Sequence, residues 1–351
     1  MISLSSAQNY LSQIKIEANK LDRDSAALQQ AMQQLGNHSL LALKVPQSLG
    51  GAGFSSLDYG LWQMSVAKHS GALAFLQTQH QSAGSFLTAS SNQTLQQQYL
   101  PLMATGKKLV GVGFSHLRRP GVPSITAKAT KNGYLISGVV PWITGGHIFN
   151  DFIVGAMLPD GRELYGIVPL QNTHQSSGGI KLSPPMDLIA MSATNTVSAE
   201  LHDWYLKDDY VVDIRSVNAI HKNSRKNVLN HGWFPLGCAC SALAIIDRAY
   251  QKKQLDFIRE TQKTLQQEVE SCQKQMLAQT TSESVTYEDK LKLRSQIINL
   301  AFRCTQAAVI TTSGGANNVT NAAGRVYREA LVFSVSGQTT DVMAATLKLS
   351  V

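Results

Sequence analysis

The run Gly133-Tyr134-Leu135-Ile136-Ser137-Gly138-Val139-Val140-Pro141-Trp142-Ile143-Thr144-Gly145-Gly146 holds the residues best suited to chemistry. It reads as a strand, a two-residue break, a second strand, and then Trp-Ile-Thr before two glycines. An indole and a hydroxyl at a strand end suit a flat, electron-poor ring. The indole supplies an aromatic wall, the hydroxyl a hydrogen bond, and the glycines let backbone come close. Elsewhere, His231 has an intrinsic pKa fit for proton transfer, although a histidine beside Gly232-Trp233 also suits a structural role. Asp341 offers a carboxylate, and its place at the start of the last helix also suits an N-cap. Arg118 and Arg119 bring fixed positive charge and paired donors that grip anions. Cys238 and Cys240 form a C-x-C pair with no second Cys or His pair to complete a metal site, and read as small buried hydrophobes.

Three blocks of chain must position these residues. Residues 1–108 are mostly helical. Gln8 to Leu35 carries Tyr10, Leu11, Ala18, Leu21, Ala27, Leu28 and Met32 close to a 3.6 period, which predicts one long helix ending at Gly36-Asn37. After a glycine-rich loop, Ser55 or Ser56 can cap the next helix. Further helices are expected from Ala72 to about Ala89 and from Thr94 to Ala104. Residues 109–215 are short β-branched segments separated by turn signals such as Pro159-Asp160-Gly161, which predicts an antiparallel β domain. Residues 216–351 return to helix, with Val228–Thr261, Leu265–Gln279, Tyr287–Thr312 and a segment around Asp341–Leu349 as the expected helices. Helices, a β block, then helices is a segregated α+β arrangement.

Four segments in this order resemble the acyl-CoA dehydrogenase superfamily. Val45-Pro46-Gln47-Ser48-Leu49-Gly50-Gly51-Ala52-Gly53 resembles its V-P-x-x-x-G-G-x-G loop. Gln98-Tyr99-Leu100-Pro101-Leu102 through Gly106 resembles its entry into the β domain, and Trp142-Ile143-Thr144 its flavin-flanking W-I-T. Gly314-Gly315 followed by Arg325-Val326-Tyr327-Arg328-Glu329-Ala330 resembles the end of its last bundle. The resemblance implies an N-terminal helical domain, a middle antiparallel β-barrel or sandwich and a C-terminal helical bundle. It implies FAD between the last two, flanked by Leu117, Arg118, Ser124, Trp142, Ile143, Thr144 and Thr339, with Gly314 and Gly315 near the dinucleotide of a neighbouring subunit. The activity it implies is α,β-dehydrogenation of an acyl-CoA or related acyl thioester, by a homodimer or homotetramer.

The chain departs from that pattern where the chemistry is done. Members place a glutamate base either before Gly-Thr in the last loop or before the helix that opens the C-terminal bundle. The matching positions here are Gly337 (Ser336 in a register one earlier) and Asn230. An amide is not basic, and a lone hydroxyl is a poor base at neutral pH. His231 and Asp341 are the remaining candidates for the base. The flavin-touching Thr and the Glu after it become Arg118 and Arg119. The R-x-F-G segment that helps hold FAD across the family's dimer has no match; the equivalent stretch is Leu255-Asp256-Phe257-Ile258-Arg259-Glu260, in which Arg259 is the candidate replacement. Two alternatives follow: a flavin-dependent monooxygenase or oxidase on the same fold, which needs no such base, or a catalytically inactive binding subunit.

Composition bounds these readings. The 351 residues are 43% hydrophobic, enough for a large core. The net charge of +8 is scattered rather than striped, which argues for a solvated basic surface and against nucleic acid as partner. No run approaches the length of a membrane span, and the N-terminus lacks a signal-peptide pattern, so no membrane partner and a cytoplasmic location are expected.

Overall fold

The computed structural model describes residues 4–349. Five helices come first: α1 (Leu4–Leu21), α2 (Ser25–Asn37), α3 (Ser56–His69), α4 (Gly71–Thr88) and α5 (Gln93–Ala104). The single helix expected over Gln8–Leu35 is two. The Asp24 carboxylate accepts from Ala27 N (3.0 Å) and starts α2 afresh. The break releases Asp22, whose side chain accepts from Met191 N at 2.7 Å. Periodicity carried across the turn because both helices bury the same kind of face. Ser55 caps α3 and Ser70 caps α4 through their hydroxyls.

The glycine-rich loop folds back on the turn before it. An added Cβ at Gly51 would lie 2.1 Å from the Val45 carbonyl oxygen, so no larger residue fits there.

Nine strands follow: β1 (Val110–Gly113), β2 (Ile125–Thr130), β3 (Gly133–Ile143), β4 (Asp151–Met157), β5 (Glu163–Pro169), β6 (Thr173–His174), β7 (Gly179–Leu182), β8 (Val197–Lys207) and β9 (Val211–Arg215). They form one sheet in the order β6-β7-β8-β3-β2-β4-β5-β9, with β1 beside β4. The sheet is mixed rather than antiparallel throughout, because β4 runs parallel to both β1 and β2. The expected break inside β3 is a continuous strand with register shifts against β8, one between Ile136 and Gly138 and one between Val140 and Ile143.

The C-terminal part contains α6 (Ala219–Lys226), α7 (Trp233–Lys253), α8 (Asp256–Thr281), α9 (Tyr287–Thr312), α10 (Ala322–Val335) and α11 (Thr340–Leu347). The expected helix over Val228–Thr261 is divided. Gln254 adopts the left-handed conformation (φ 53°), ends α7 and turns the chain into α8. The bounds of α9 are those read from sequence, with Thr286 as its cap.

One buried ionic network ties the blocks together. Arg325 donates to Glu329 Oε1 at 2.5 Å and to Asn19 at 2.8 Å, while Glu329 also accepts from Gly71 N at 3.1 Å. Arg328 reaches Asp22 at 3.0 Å. The R-x-Y-R-E segment therefore joins α10 to α1, α4 and the loop carrying Met191. Burial pushes the Glu329 carboxyl up, and Arg325 opposes the shift. No single helix among the described residues is long and apolar enough to cross a membrane.

Candidate functional site

The register shift between Val140 and Ile143 places one extra residue on β3, because Val140 pairs with Ala199 and Ile143 with Val197. Pro141, which has no N–H to give to a ladder, sits inside this bulge. The bulge turns Trp142 outward, and its indole is 45% exposed at the strand end. Ile143 is fully buried and serves the core. Thr144 is buried, with its hydroxyl 3.5 Å from that of Thr196.

The segment before β2 carries the arginines. Leu117 lies in a 3-10 turn over Ser115–Arg118 and is buried in the core beside Gly155 and Tyr165, which makes it a packing residue rather than an open contact. Arg118 Nε donates to Ser224 Oγ at 3.1 Å, linking the β domain to α6. Arg119 and Ser124 are exposed. Gly314 and Gly315 are exposed in a short 3-10 turn, and a Cβ added at Gly314 would meet nothing within 4 Å.

The C-terminal candidates converge on the turn between α10 and α11. His231 Nδ1 lies 3.1 Å from Ser336 Oγ. The same ring packs on Gly337, where an added Cβ would stand 2.4 Å from its Cδ2 and Nε2. Gly337 also has φ +59°, a conformation that favours glycine. The histidine thus fills the volume into which a side chain at 337 would project. Behind it, Phe234 and Phe333 stack at 5.4 Å.

Arg294 completes the group. It is 2% exposed, donates from Nη1 to the Val228 carbonyl (2.9 Å), and from Nη2 to those of Ser336 (2.7 Å) and Gly337 (3.2 Å). It faces three carbonyls, and no salt bridge to a carboxylate forms among the described residues. The sequence reading missed it, although the signal was present. Arg294 falls three and four residues before Ile297 and Ile298 on the apolar stripe of α9, where a charge needs a reason.

The electrostatics of this corner are cationic. Burial, then Arg294 and Arg118, pull the His231 pKa down to about 3. Burial and Arg118 lower Arg294 to about 10. The imidazole is therefore neutral at pH 7 but is a weak base, since its protonated form would face two guanidinium groups.

Asp341 lies elsewhere in the network. Its Oδ2 accepts from Arg225 (3.1 Å) and from the Tyr287 hydroxyl (2.8 Å), and Arg225 stacks on the Tyr287 ring at 3.9 Å. The N-cap of α11 is Thr339, whose hydroxyl accepts from Val342 N, and not Asp341. The structure thus brings together His231, Ser336, Gly337 and Arg118, with Arg294 added, and holds Asp341 in an ion pair beside them.

A substitution tests this packing. Gly337→Glu, which restores a carboxylate, is expected to destabilise the fold by about 2–4 kcal/mol, through backbone strain and collision with His231. Adding His231→Ala relieves the collision and recovers part of the loss. Urea unfolding of the single and double variants measures both, and a stable single variant would show that His231 does not fill the space.

A helical block, a β sheet and a helical bundle follow one another along the chain, with the Trp142 indole exposed at the end of β3. Residues 5–107 match the acyl-CoA dehydrogenase N-terminal domain family. Isovaleryl-CoA dehydrogenase of Pongo abelii is 25% identical over 198 residues, covering 53% of this chain and 46% of the relative. A probable acyl-CoA dehydrogenase of Bacillus subtilis is also 25% identical, covering 54% of this chain and 51% of its own length. The chain therefore spans about half the length of these curated relatives. Among solved structures, glutaryl-CoA dehydrogenase from Mycobacterium smegmatis in complex with FADH2 superposes with a TM-score of 0.83, at 14% identity, over 99% of this chain and 92% of that one. KijD3 in complex with FMN and a dTDP-linked amino-keto sugar gives 0.77 at 17% identity, over 99% and 92%. At these identities the structural likeness is one of fold. Residues 5–107 thus fall in the acyl-CoA dehydrogenase N-terminal domain family, and the chain as a whole shares the fold of solved acyl-CoA dehydrogenases.

Proposed function

We propose that this protein is a flavin-dependent oxidoreductase that binds FAD at the junction of the β domain and the C-terminal bundle and acts on an acyl-CoA or related acyl thioester. The residues present fit the cofactor. Trp142 offers an outward indole that the protein itself leaves uncovered, and exposed Gly314 and Gly315 leave backbone open to a dinucleotide. The terminal nitrogens of Arg118 add donors at the domain junction. When bound, FAD supplies the hydride or electron acceptor. Trp142 would wall the ring, Thr144 would hydrogen-bond its edge, and Ser124 and Thr339 would contact its polar parts.

The observation that carries the reading further is the state of His231. α,β-Dehydrogenation needs a base matched to the α-proton, and His231, held near pKa 3 by burial and two arginines, is too weak for it. Ser336 gains little from such a partner, and Asp341 is engaged by Arg225 and Tyr287. This favours the second chemistry, a flavin-dependent monooxygenase or oxidase, in which no carboxylate takes a proton from the substrate. In either chemistry Arg118 and Arg294 keep the region cationic, which stabilises negative charge developing there.

The oligomer is part of the reading. Tyr327, Leu331 and Val335 recur every fourth residue on α10 and are all exposed, as are Met343 and Leu347 on α11. An uncovered apolar stripe of this kind supports a homodimer or homotetramer.

The test is the visible spectrum of protein purified and reconstituted with excess FAD, before and after anaerobic addition of acyl-CoAs. A flavin band that persists with acyl-CoA, together with substrate-dependent oxygen uptake by the reduced protein, is the expected result. Bleaching would establish dehydrogenation and a base other than those named here. Absence of any band would defeat the flavin reading and leave a binding subunit.

A further inference from the structure

A groove of about 240 Å³ lies where α1 and α3 meet α7 and α8. α7 gives it Cys240, Leu243, Ala244 and Asp247, whose i, i+3, i+4 and i+7 spacing puts them on one face of the helix. Gln262 and Gln266, one turn apart on α8, form the facing wall, and Lys68 of α3 and Lys15 of α1 close it. No residue of the β domain lines the groove, so it lies outside the cleft that the flavin reading uses.

The groove is apolar at its floor and ionic at its rim. Leu243 is buried and forms the floor with the half-buried Ala244 and Cys240. Lys15, Lys68 and Asp247 are exposed, so their charged heads are open to a ligand. None of the three forms an ion pair among the described residues, although both signs line the one groove. Opposite charges that share a space without meeting leave room between them for a molecule that carries both. The positive side is reinforced from behind: partial burial lowers the Lys15 pKa, and Arg248 and Lys68 add to the shift as like charges crowded against it. On the other wall, Gln266 Nε2 donates to Glu270 Oε1 at 2.8 Å, which leaves the Gln266 amide oxygen to accept from elsewhere.

We infer that this groove is a second ligand site, which takes a free α-amino acid with a short aliphatic side chain. The carboxylate pairs with the Lys15 and Lys68 ammonium groups. The α-ammonium pairs with Asp247 and donates to the amide oxygens of Gln262 and Gln266. The aliphatic side chain covers Leu243, Ala244 and Cys240 and removes their apolar surface from water. The volume is below that of pockets for drug-sized ligands and suits a molecule of this size. The site does not rest on the flavin reading.

Ligand-observed saturation-transfer NMR titration of the full chain, with and without saturating FAD, tests the proposal. The probes are L-leucine, 4-methylpentanoate, which lacks its ammonium, 3-methylbutylamine, which lacks its carboxylate, and glycine, which lacks its side chain. Leucine is expected to bind saturably, and each of the others at least about tenfold more weakly, since each lacks one of the three recognised features. Asp247→Asn and Lys68→Gln alter only exposed side chains. The first is expected to weaken leucine several-fold and leave 4-methylpentanoate unchanged, and the second to weaken both. Saturating FAD and Trp142→Ala are expected to leave leucine binding as it is. Lack of saturable leucine binding would overturn the proposal. So would a deaminated or decarboxylated analogue that binds as tightly as leucine, leucine binding unaffected by Asp247→Asn or Lys68→Gln, or displacement of leucine by FAD.

Discussion

Arg294→Met is expected to cost about 3–4 kcal/mol of stability, because it leaves the carbonyls of Val228, Ser336 and Gly337 without their shared donor. Those three carbonyls come from two loops, the one that enters α7 and the one between α10 and α11. Arg294 is the group that holds them together, and methionine fills its stem volume without replacing a single hydrogen bond. Lysine keeps the charge but not the planar fork, so Arg294→Lys should recover only part of the loss. A second readout separates this role from simple packing. Removing a guanidinium that depresses His231 should raise the pKa of that imidazole, a shift that proton NMR titration of the histidine resolves. If stability fell with no movement of His231, the electrostatic contact between the two would be refuted.

Acid should unfold the protein steeply. His80 and His116 are held down to about 4 and His231 to about 3, in each case mainly by burial, from an ordinary value of 6.5. His80 sits between the Val110 and Met103 backbones, and His116 bonds the Gly155 carbonyl. Because each folded-state pKa lies below the unfolded value, the unfolded chain binds more protons between these limits. The stability these groups contribute is therefore complete above about pH 6.5 and is lost as pH falls towards 4. Three such groups give a slope of up to about 4 kcal/mol per pH unit in that window. Glu329 works the other way, since its raised carboxyl takes up a proton more readily in the folded state, and it blunts the loss at the acid end. Urea unfolding at a series of pH values from 7.5 to 4.5 measures the slope. A flat profile would show that these histidines titrate normally. Substituting His80 with Gln, which can still hydrogen-bond on both sides, should reduce the slope by about one-third.

The sequence by itself determined the order of helices, strands and helices, the bounds of α9, a serine cap at position 55 or 56, and the placing of Trp142 at a strand end. These depend on local periodicity, capping chemistry and turn residues, which act over a few positions. The resemblance also marks Asn230 and Gly337 as the positions that match the family's glutamate, and their lack of a basic side chain is visible as letters. Only the tertiary structure decided what occupies that space instead. His231, Arg294 and Gly337 lie on different elements, and nothing in the spacing between them reports that the imidazole packs on Gly337 or that one guanidinium spans two loops. The Arg325–Glu329 pair was legible as a motif, but its contacts with Asn19 and Gly71 were not. The parallel pairing of β4 was likewise hidden, because strand direction is set by the path of the connections and not by the alternation within a strand. Periodicity tells which face of an element is buried. Which element it is buried against, and therefore which charges meet, depends on packing across the whole chain.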